Sequence, residues 1–204
     1  VKRYSENPNK YWPLIEKFRL KTFDEGNDSL TYKKYNPDNK DIETWMCFKD
    51  DELISISAAE KSHYTNDPNI AVRVCRYHIL KEHRFSHCGL IMGEHQIKWA
   101  RDKGFKILYI THNIKNKAIN NLYQRKKKMT DKAFKDYIKG EWYTKLQLEN
   151  KFLFKTGKML QYVYSIRLQD DNFKWQPKSD YIIEREHNGP VSYTHLRAHE
   201  TVSH

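Results

Sequence analysis

Long apolar runs are missing from this chain of 204 residues, and no stretch approaches the roughly 20 apolar residues that a membrane-spanning helix needs. That argues against a membrane-inserted protein, and Val1 to Ser5 carry no apolar signal core. Cysteine is scarce: Cys47, Cys75 and Cys88 are scattered and odd in number, which argues against a disulfide framework and for a reducing compartment. The default expectation is therefore a cytoplasmic protein. Acidic residues are outnumbered, 26 against 37 Lys plus Arg, and the net charge of +11 favours contact with a polyanion such as nucleic acid, anionic lipid or a phosphorylated cofactor. Internal repeats and low-complexity tracts are absent as well.

What is there suits a globular chain. Apolar residues make up 38% against 31% charged, and 14 Tyr, 9 Phe and 5 Trp supply core material in a sequence of otherwise low hydropathy. The length fits one domain of ordinary size with an appendage. The chain begins at Val1 rather than at a methionine, so a fragment lacking its true beginning is expected.

The apolar spacing suggests an order of elements. Trp12, Ile15, Phe18 and Leu20 predict a short amphipathic helix over residues 10–21. Trp45 to Phe48 and Leu53 to Ala58, parted by Asp50 and Asp51, read as a β-hairpin. After the turn cluster Asn66 to Asn69 comes a long strand, with Val72, Val74, Arg76, His78 and Leu80 expected on one face and Ala71, Cys75, Tyr77 and Ile79 on the other. Leu90, Gly93, Ile97 and Ala100 follow helical spacing from Gly89 to a stop at Gly104. Phe105 to Ile110 reads as a buried strand, leading through Asn113 into a helix with Ala118, Ile119, Leu122 and Tyr123. A short helix at 131–139 and strands within 142–168, with a turn at Thr156 to Lys158, complete a domain of residues 1–169. Residues 170–190 read as a loose polar extension. Residues 191–204 resemble a translated sequencing-adaptor artefact and are set aside, so their three histidines are not taken as a metal site.

The segment from Arg84 to Leu90 joins a strand to a helix, a place where free backbone N–H groups and the positive helix end form an anion site. Arg84 adds charge-assisted hydrogen bonds and Gly89 would let a ligand come close. This segment resembles the phosphate-binding loop of the GNAT (GCN5-related N-acetyltransferase) family, which reads Gln or Arg, two residues, Gly, one residue, Gly or Ala. Arg84 and Gly89 match; His87 stands at the first glycine, and Lys81 where a proline often precedes the arginine. Downstream, Asn116 followed seven residues later by Tyr123 resembles that family's Asn-to-Tyr helix.

The resemblance, over residues 43–168, implies an α/β fold: a mixed, largely antiparallel sheet flanked by helices, with two splayed parallel strands near 70–80 and 105–111 forming an acetyl-CoA cleft. It implies N-acylation of an amine on a small molecule or a protein, with acetyl-CoA as co-substrate and no metal. Backbone groups of Ile79 and Leu80 would align the pantetheine arm and the acetyl carbonyl, and amides of Phe85, Ser86, His87, Cys88, Gly89 and Leu90 would cradle the pyrophosphate beside the Arg84 side chain. Asn116 would contact the arm, and Tyr123 would be the general acid that protonates the departing thiolate. For the proton on the amine, Glu60, His78 and Glu82 are candidates beside a chain of waters, and His78 has the suitable ordinary pKa.

Other readings stand beside this one. Each residue has a packing or solvated role open to it: Tyr123 in a core, Arg84 on a surface, Gly89 in a turn. His83, His87 and Cys88 are close together but lack a paired cysteine or a distant fourth ligand for zinc. The basic run Arg125 to Lys128 beside aromatics permits a nucleic-acid-binding module, and a GNAT-like fold without catalysis is a third reading. The oligomeric state and the acyl acceptor are not encoded in any readable pattern.

Overall fold

The computed structural model describes residues 1–23, 41–62, 64–84, 86–138, 140, 142–156 and 159–183. Phe85, the turn residues Gly157 and Lys158, and everything from 184 on, including the tail from Val191, lie outside the described residues.

One sheet organises the chain. Its strands are β1 (Lys2–Arg3), β2 (Ile42–Lys49), β3 (Glu52–Lys61), β4 (Ala71–Ile79), β5 (Ile107–Asn113), β6 (Gln147–Thr156), β7 (Met159–Arg167) and β8 (Ile182–Ile183), in the order β1-β2-β3-β4-β5-β7-β6-β8. All neighbours are antiparallel except β4 and β5. The helices are α1 (Pro8–Phe23), α2 (Cys88–Asp102), α3 (Lys117–Lys128) and α4 (Asp131–Ile138). The expected α/β class with a mixed, largely antiparallel sheet is the observed one. No helix among the described residues is long and apolar enough to cross a membrane.

Local chemistry explains the elements. Helix α1 starts on Pro8, whose missing N–H is no loss at that position, and the Asn7 side chain accepts the Lys10 N–H at 3.2 Å. Its buried residues Tyr11, Ile15, Phe18 and Thr22 recur at helical spacing; the first three pack on Met46, Ile56 and Leu80. Asp50 and Asp51 turn the β2–β3 hairpin with both φ positive (47° and 63°), the geometry that twists with the strands and that Asp tolerates.

Helix α2 covers the other face through Cys88, Met92, Ile97 and Ala100, which join Trp45, Val72 and Leu108. It ends in a Schellman motif: the Phe105 N–H bonds the Ala100 carbonyl and the Gly104 N–H the Arg101 carbonyl, with Gly104 at φ 83°.

Three expectations are corrected. The long strand does not alternate evenly, because β4 carries one extra residue between Cys75 and His78 relative to β3, and Arg76 sits there at φ 51°. Beyond this bulge Ile79, not His78, shares the α2 face with Val72 and Val74, while Leu80 packs on the α1 side. Residues 142–145 form a short 3-10 turn instead of a strand start. The stretch expected to be loose is packed at least to 183: Trp175 is buried, Phe173, Tyr181 and Ile182 pack on the same cluster with Tyr64, Tyr109 and Phe154, and β8 pairs with β6. Aromatic side chains drive that docking through their large apolar area.

Candidate functional site

The site begins where β4 and β5 part. Their parallel pairing runs from Ala71↔Ile107 to Val74↔Ile110 and goes no further, although β4 continues to Ile79 and β5 to Asn113. The bulge at Arg76 is the local cause, since an extra residue bends its strand. Left-handed backbone at a non-glycine residue is strained, and the side chain helps to hold it: an Arg76 N–H donates to Glu60 Oε2 at 2.9 Å. Arg73 also pairs with Glu60, and donates to the Tyr64 hydroxyl at 3.0 Å.

This network answers one question about the proton acceptor. Burial alone would raise the Glu60 pKa, but the charges of Arg73 and Arg76 and their hydrogen bonds outweigh it and hold the carboxyl below its ordinary range. Glu60 is thus a poor base. Glu82 is exposed and paired with Lys21 at 3.1 Å. His78 lies edge-on to Phe18 of α1, with ring centroids 5.9 Å apart, and its carbonyl accepts the Ser55 hydroxyl at 2.7 Å. The structure thus gathers His78 with the α1 packing and sets it on the other sheet face from the α2 start.

The segment after β4 forms a 3-10 turn at Lys81–His83 and enters α2 through His87. His87, at the position where a glycine is usual, adopts φ 58° and ψ 0°, the left-handed region that explains the usual glycine. Its carbonyl accepts the N–H groups of Leu90 (2.9 Å) and Ile91 (3.1 Å), and its ring meets Tyr137 of α4 edge-on at 5.7 Å. Arg84, Ser86 and His87 are exposed. Ile79 pairs with Ser55 and the Leu80 N–H bonds the Ile54 carbonyl at 3.0 Å, so the β3 side of both is already occupied.

Gly89 has a packing reason of its own. A side chain there would overlap the Tyr77 hydroxyl and stand 2.7 Å from its Cζ. Tyr77 thus lays its hydroxyl against the first turn of α2 although the residue as a whole stays exposed, and burial of the hydroxyl pushes its pKa up. Beside it, the buried Cys88 thiol hydrogen-bonds with Cys47 of β2, which lowers its pKa most; burial opposes this, and bonds from Ser86, Ser55 and the Gly89 N–H add to the lowering.

The other flank is built by β5 and α3. Tyr123 is half-buried, its ring edge-on to Tyr164 of β7 at 5.2 Å, with the Lys127 ammonium 4.8 Å from its ring centre. Asn116 is exposed in the turn before α3, and its N–H bonds the Asn113 carbonyl at 2.8 Å. The Tyr164 hydroxyl donates to Asn120 Oδ1 at 3.3 Å, and His112 stacks on the opposite side of the group, 5.1 Å from Tyr164 at an interplanar angle of 20°. The basic run is partly engaged within the molecule: Arg125 lies over Tyr137 and Lys126 donates to the Leu146 carbonyl at 2.6 Å.

Sequence reasoning gave no site role to His112, Tyr164 or Tyr77 and did not find the Cys47–Cys88 contact. Alternation along Leu108, Ile110 and His112 would have placed His112 on the helix-covered face, but its partner Tyr164 is remote in sequence. Among the described residues, no group of three or more His, Cys, Asp and Glu is placed to hold a metal. A cavity of about 310 Å³ lined by Asp41, Lys61, Asn69, Trp99, Lys103 and Phe105 lies at the far end of α2, away from the strand splay.

No protein-family model and no curated protein matches the chain by sequence. Solved structures do. A candidate acyl-CoA N-acyltransferase from Klebsiella pneumoniae aligns with a TM-score of 0.51 at 15% identity, over 82% of this chain and 95% of that one. An aminoglycoside 6′-N-acetyltransferase complexed with coenzyme A aligns with a TM-score of 0.50 at 12% identity, over 81% and 94%. An acetyltransferase of the GNAT family from Streptococcus pneumoniae is more distant, with a TM-score of 0.45 at 15% identity over 64% and 69%. At these identities the likeness establishes the fold: the mixed sheet with one parallel pair is of the GNAT type.

Proposed function

We propose that the chain is an acetyl-CoA-dependent N-acetyltransferase that moves an acetyl group directly from the thioester to an amine on a small molecule or a protein. The observation that carries this reading is the parting of β4 and β5 after Val74 and Ile110, flanked on one side by the Arg84–Leu90 segment and on the other by α3. An extended pantetheine arm with two amides suits the gap between two strands that no longer bond each other. The left-handed His87 and the start of α2 suit a pyrophosphate, because helix-start N–H groups and the dipole attract anions.

In this reading the amine nitrogen attacks the acetyl carbonyl, the C–S bond breaks, and Tyr123 gives its phenolic proton to the thiolate. The ring is partly buried and edge-on to Tyr164, which supports a phenol whose apolar body is packed while its polar tip serves as the proton donor. Asn116 would bond the arm. With Glu60 tied to two arginines and His78 packed on Phe18, the proton of the amine leaves through water or through His78 acting at the α1 side.

Calorimetric titration of the chain with acetyl-CoA, with desulfo-CoA and ATP as controls, tests the cofactor. Binding of both CoA forms is expected, and no heat at millimolar ligand would sink the proposal. Tyr123→Phe is expected to slow acyl transfer about 100-fold with little change in acetyl-CoA affinity. Salt-sensitive binding to DNA or RNA without acetyl-CoA binding would favour a nucleic-acid module instead.

A further inference from the structure

His112 is the most deeply buried histidine of the described residues that carries an unmet hydrogen-bonding atom. Its residue exposure is 7%, and Nε2 is enclosed without a partner. The other ring nitrogen, Nδ1, lies 2.9 Å from the Asn113 carbonyl oxygen. A carbonyl only accepts, so Nδ1 carries the hydrogen and Nε2 of the neutral ring carries a lone pair. Burial keeps the ring neutral by pushing its pKa down, against the smaller opposing effect of the Asn113 bond.

The position of this lone pair gives it meaning. His112 belongs to the part of β5 that has left β4, two residues beyond the last parallel pair at Ile110. It shares the α3-covered face with Ile110, and its ring is stacked on Tyr164, the residue that also holds Tyr123 and bonds Asn120. One buried acceptor therefore stands among the side chains that line the proposed donor site. Buried polar groups in native proteins are nearly always satisfied, and one left unmet where β4 and β5 have parted points to a bound partner.

We infer that His112 Nε2 accepts a hydrogen bond from a secondary amide N–H in the arm of the acyl donor, making His112 a binding residue beside Tyr123. A lone pair selects a donor: unprotonated phosphate and carbonyl oxygens are acceptors and would be repelled, whereas the two secondary amides of a pantetheine-type arm each bring an N–H. The inference rests on the acyl-CoA reading, and its failure is separable from that of the reading.

The test uses the full chain labelled with nitrogen-15 at its histidine rings, titrated with coenzyme A and followed by long-range proton–nitrogen NMR. His112→Phe, which keeps a ring to stack on Tyr164, identifies the resonance by its loss. The expected result is a pyridine-type Nε2 signal in the free protein that moves toward the hydrogen-bonded range on adding coenzyme A, with Nδ1 unmoved. His112→Phe should bind coenzyme A roughly fivefold to tenfold more weakly, the worth of one neutral hydrogen bond, and raise KM for the donor while leaving kcat nearly unchanged. If coenzyme A binds but Nε2 does not move and the variant binds equally well, an internal water or nothing meets the lone pair; the inference falls and the acyl-CoA reading stands. A lowered kcat at unchanged KM would also overturn it, because it would mean a proton-transfer role. No binding of coenzyme A to the unsubstituted chain would overturn both. Should His112→Phe fail to fold, the Nδ1 proton bonded to Asn113 identifies the ring, and the shift in the unsubstituted chain decides.

Discussion

The two helix starts that flank the parted strands, α2 after β4 and α3 after β5, are built on opposite plans. At α2 the polar and small groups are bound up within the protein: Gly89 receives the Tyr77 hydroxyl, Cys88 bonds Cys47, and the His87 carbonyl takes two N–H groups. At α3 the side chains form an aromatic group around Tyr164, and the buried His112 Nε2 has no partner among the described residues. The difference teaches that the first start is an anchor whose residues are fixed by packing, while the second leaves a buried acceptor unmet among the described residues.

The strongest way to break the anchor is Gly89→Val. The new side chain would overlap the Tyr77 hydroxyl, so a loss of about 2–3 kcal/mol in urea unfolding is expected from overpacking, and adding Tyr77→Ala should recover part of it. No loss in the single variant would remove the packing account of this glycine.

Next in size is Glu60→Gln, which leaves Arg73 and Arg76 without their shared carboxylate. About 2 kcal/mol is expected, toward the low end for breaking an ion network because the side chains keep 14% to 20% exposure. The Glu60 pKa is lowered on folding, so its stabilisation is present above the ordinary carboxylate value of about 4.3 and is lost as pH falls through the lower folded value. Unfolding curves from pH 7 down to pH 3 should show this component in the native chain and lack it in the variant.

A smaller effect of opposite sign is expected for His87→Gly. Relief of left-handed strain, set against the lost ring contact with Tyr137 and the greater freedom of glycine when unfolded, should raise stability by about 0.5 kcal/mol in thermal unfolding. A clear decrease would show that the Tyr137 contact outweighs the strain. The smallest is Lys127→Ala on the α3 side, where loss of the cation over Tyr123 should change stability by about 0.5 kcal/mol or less.

Much of the architecture could be read along the chain because its signals are local. The α1 stripe, the Asp50–Asp51 turn, the Gly104 stop and the strand–helix–strand order near 70–113 each depend on neighbours within a few residues. The face of His78 could not be read so, because one inserted residue at Arg76 shifts every later side chain of β4, and nothing in Cys75–Arg76–Tyr77 announces a bulge. Residues 170–183 seemed polar and loose because two large aromatics, Phe173 and Trp175, are diluted among charges; their docking depends on Tyr64, Tyr109 and Phe154 from three distant segments.

By itself the sequence determined the extent of most elements and the two segments worth inspecting, since spacing, turn chemistry and helix stops act over short range, while the class of fold came from the family resemblance those segments carry. Only the tertiary structure decided which polar groups remain open. It assigned Gly89 to Tyr77 and Glu60 to two arginines, set His78 against Phe18, and left the His112 lone pair beside Tyr164 without a partner among the described residues. The reason is physical: a hydrogen-bonding atom is satisfied or not according to what long-range packing brings within about 3 Å of it, and spacing along one chain carries no such distance.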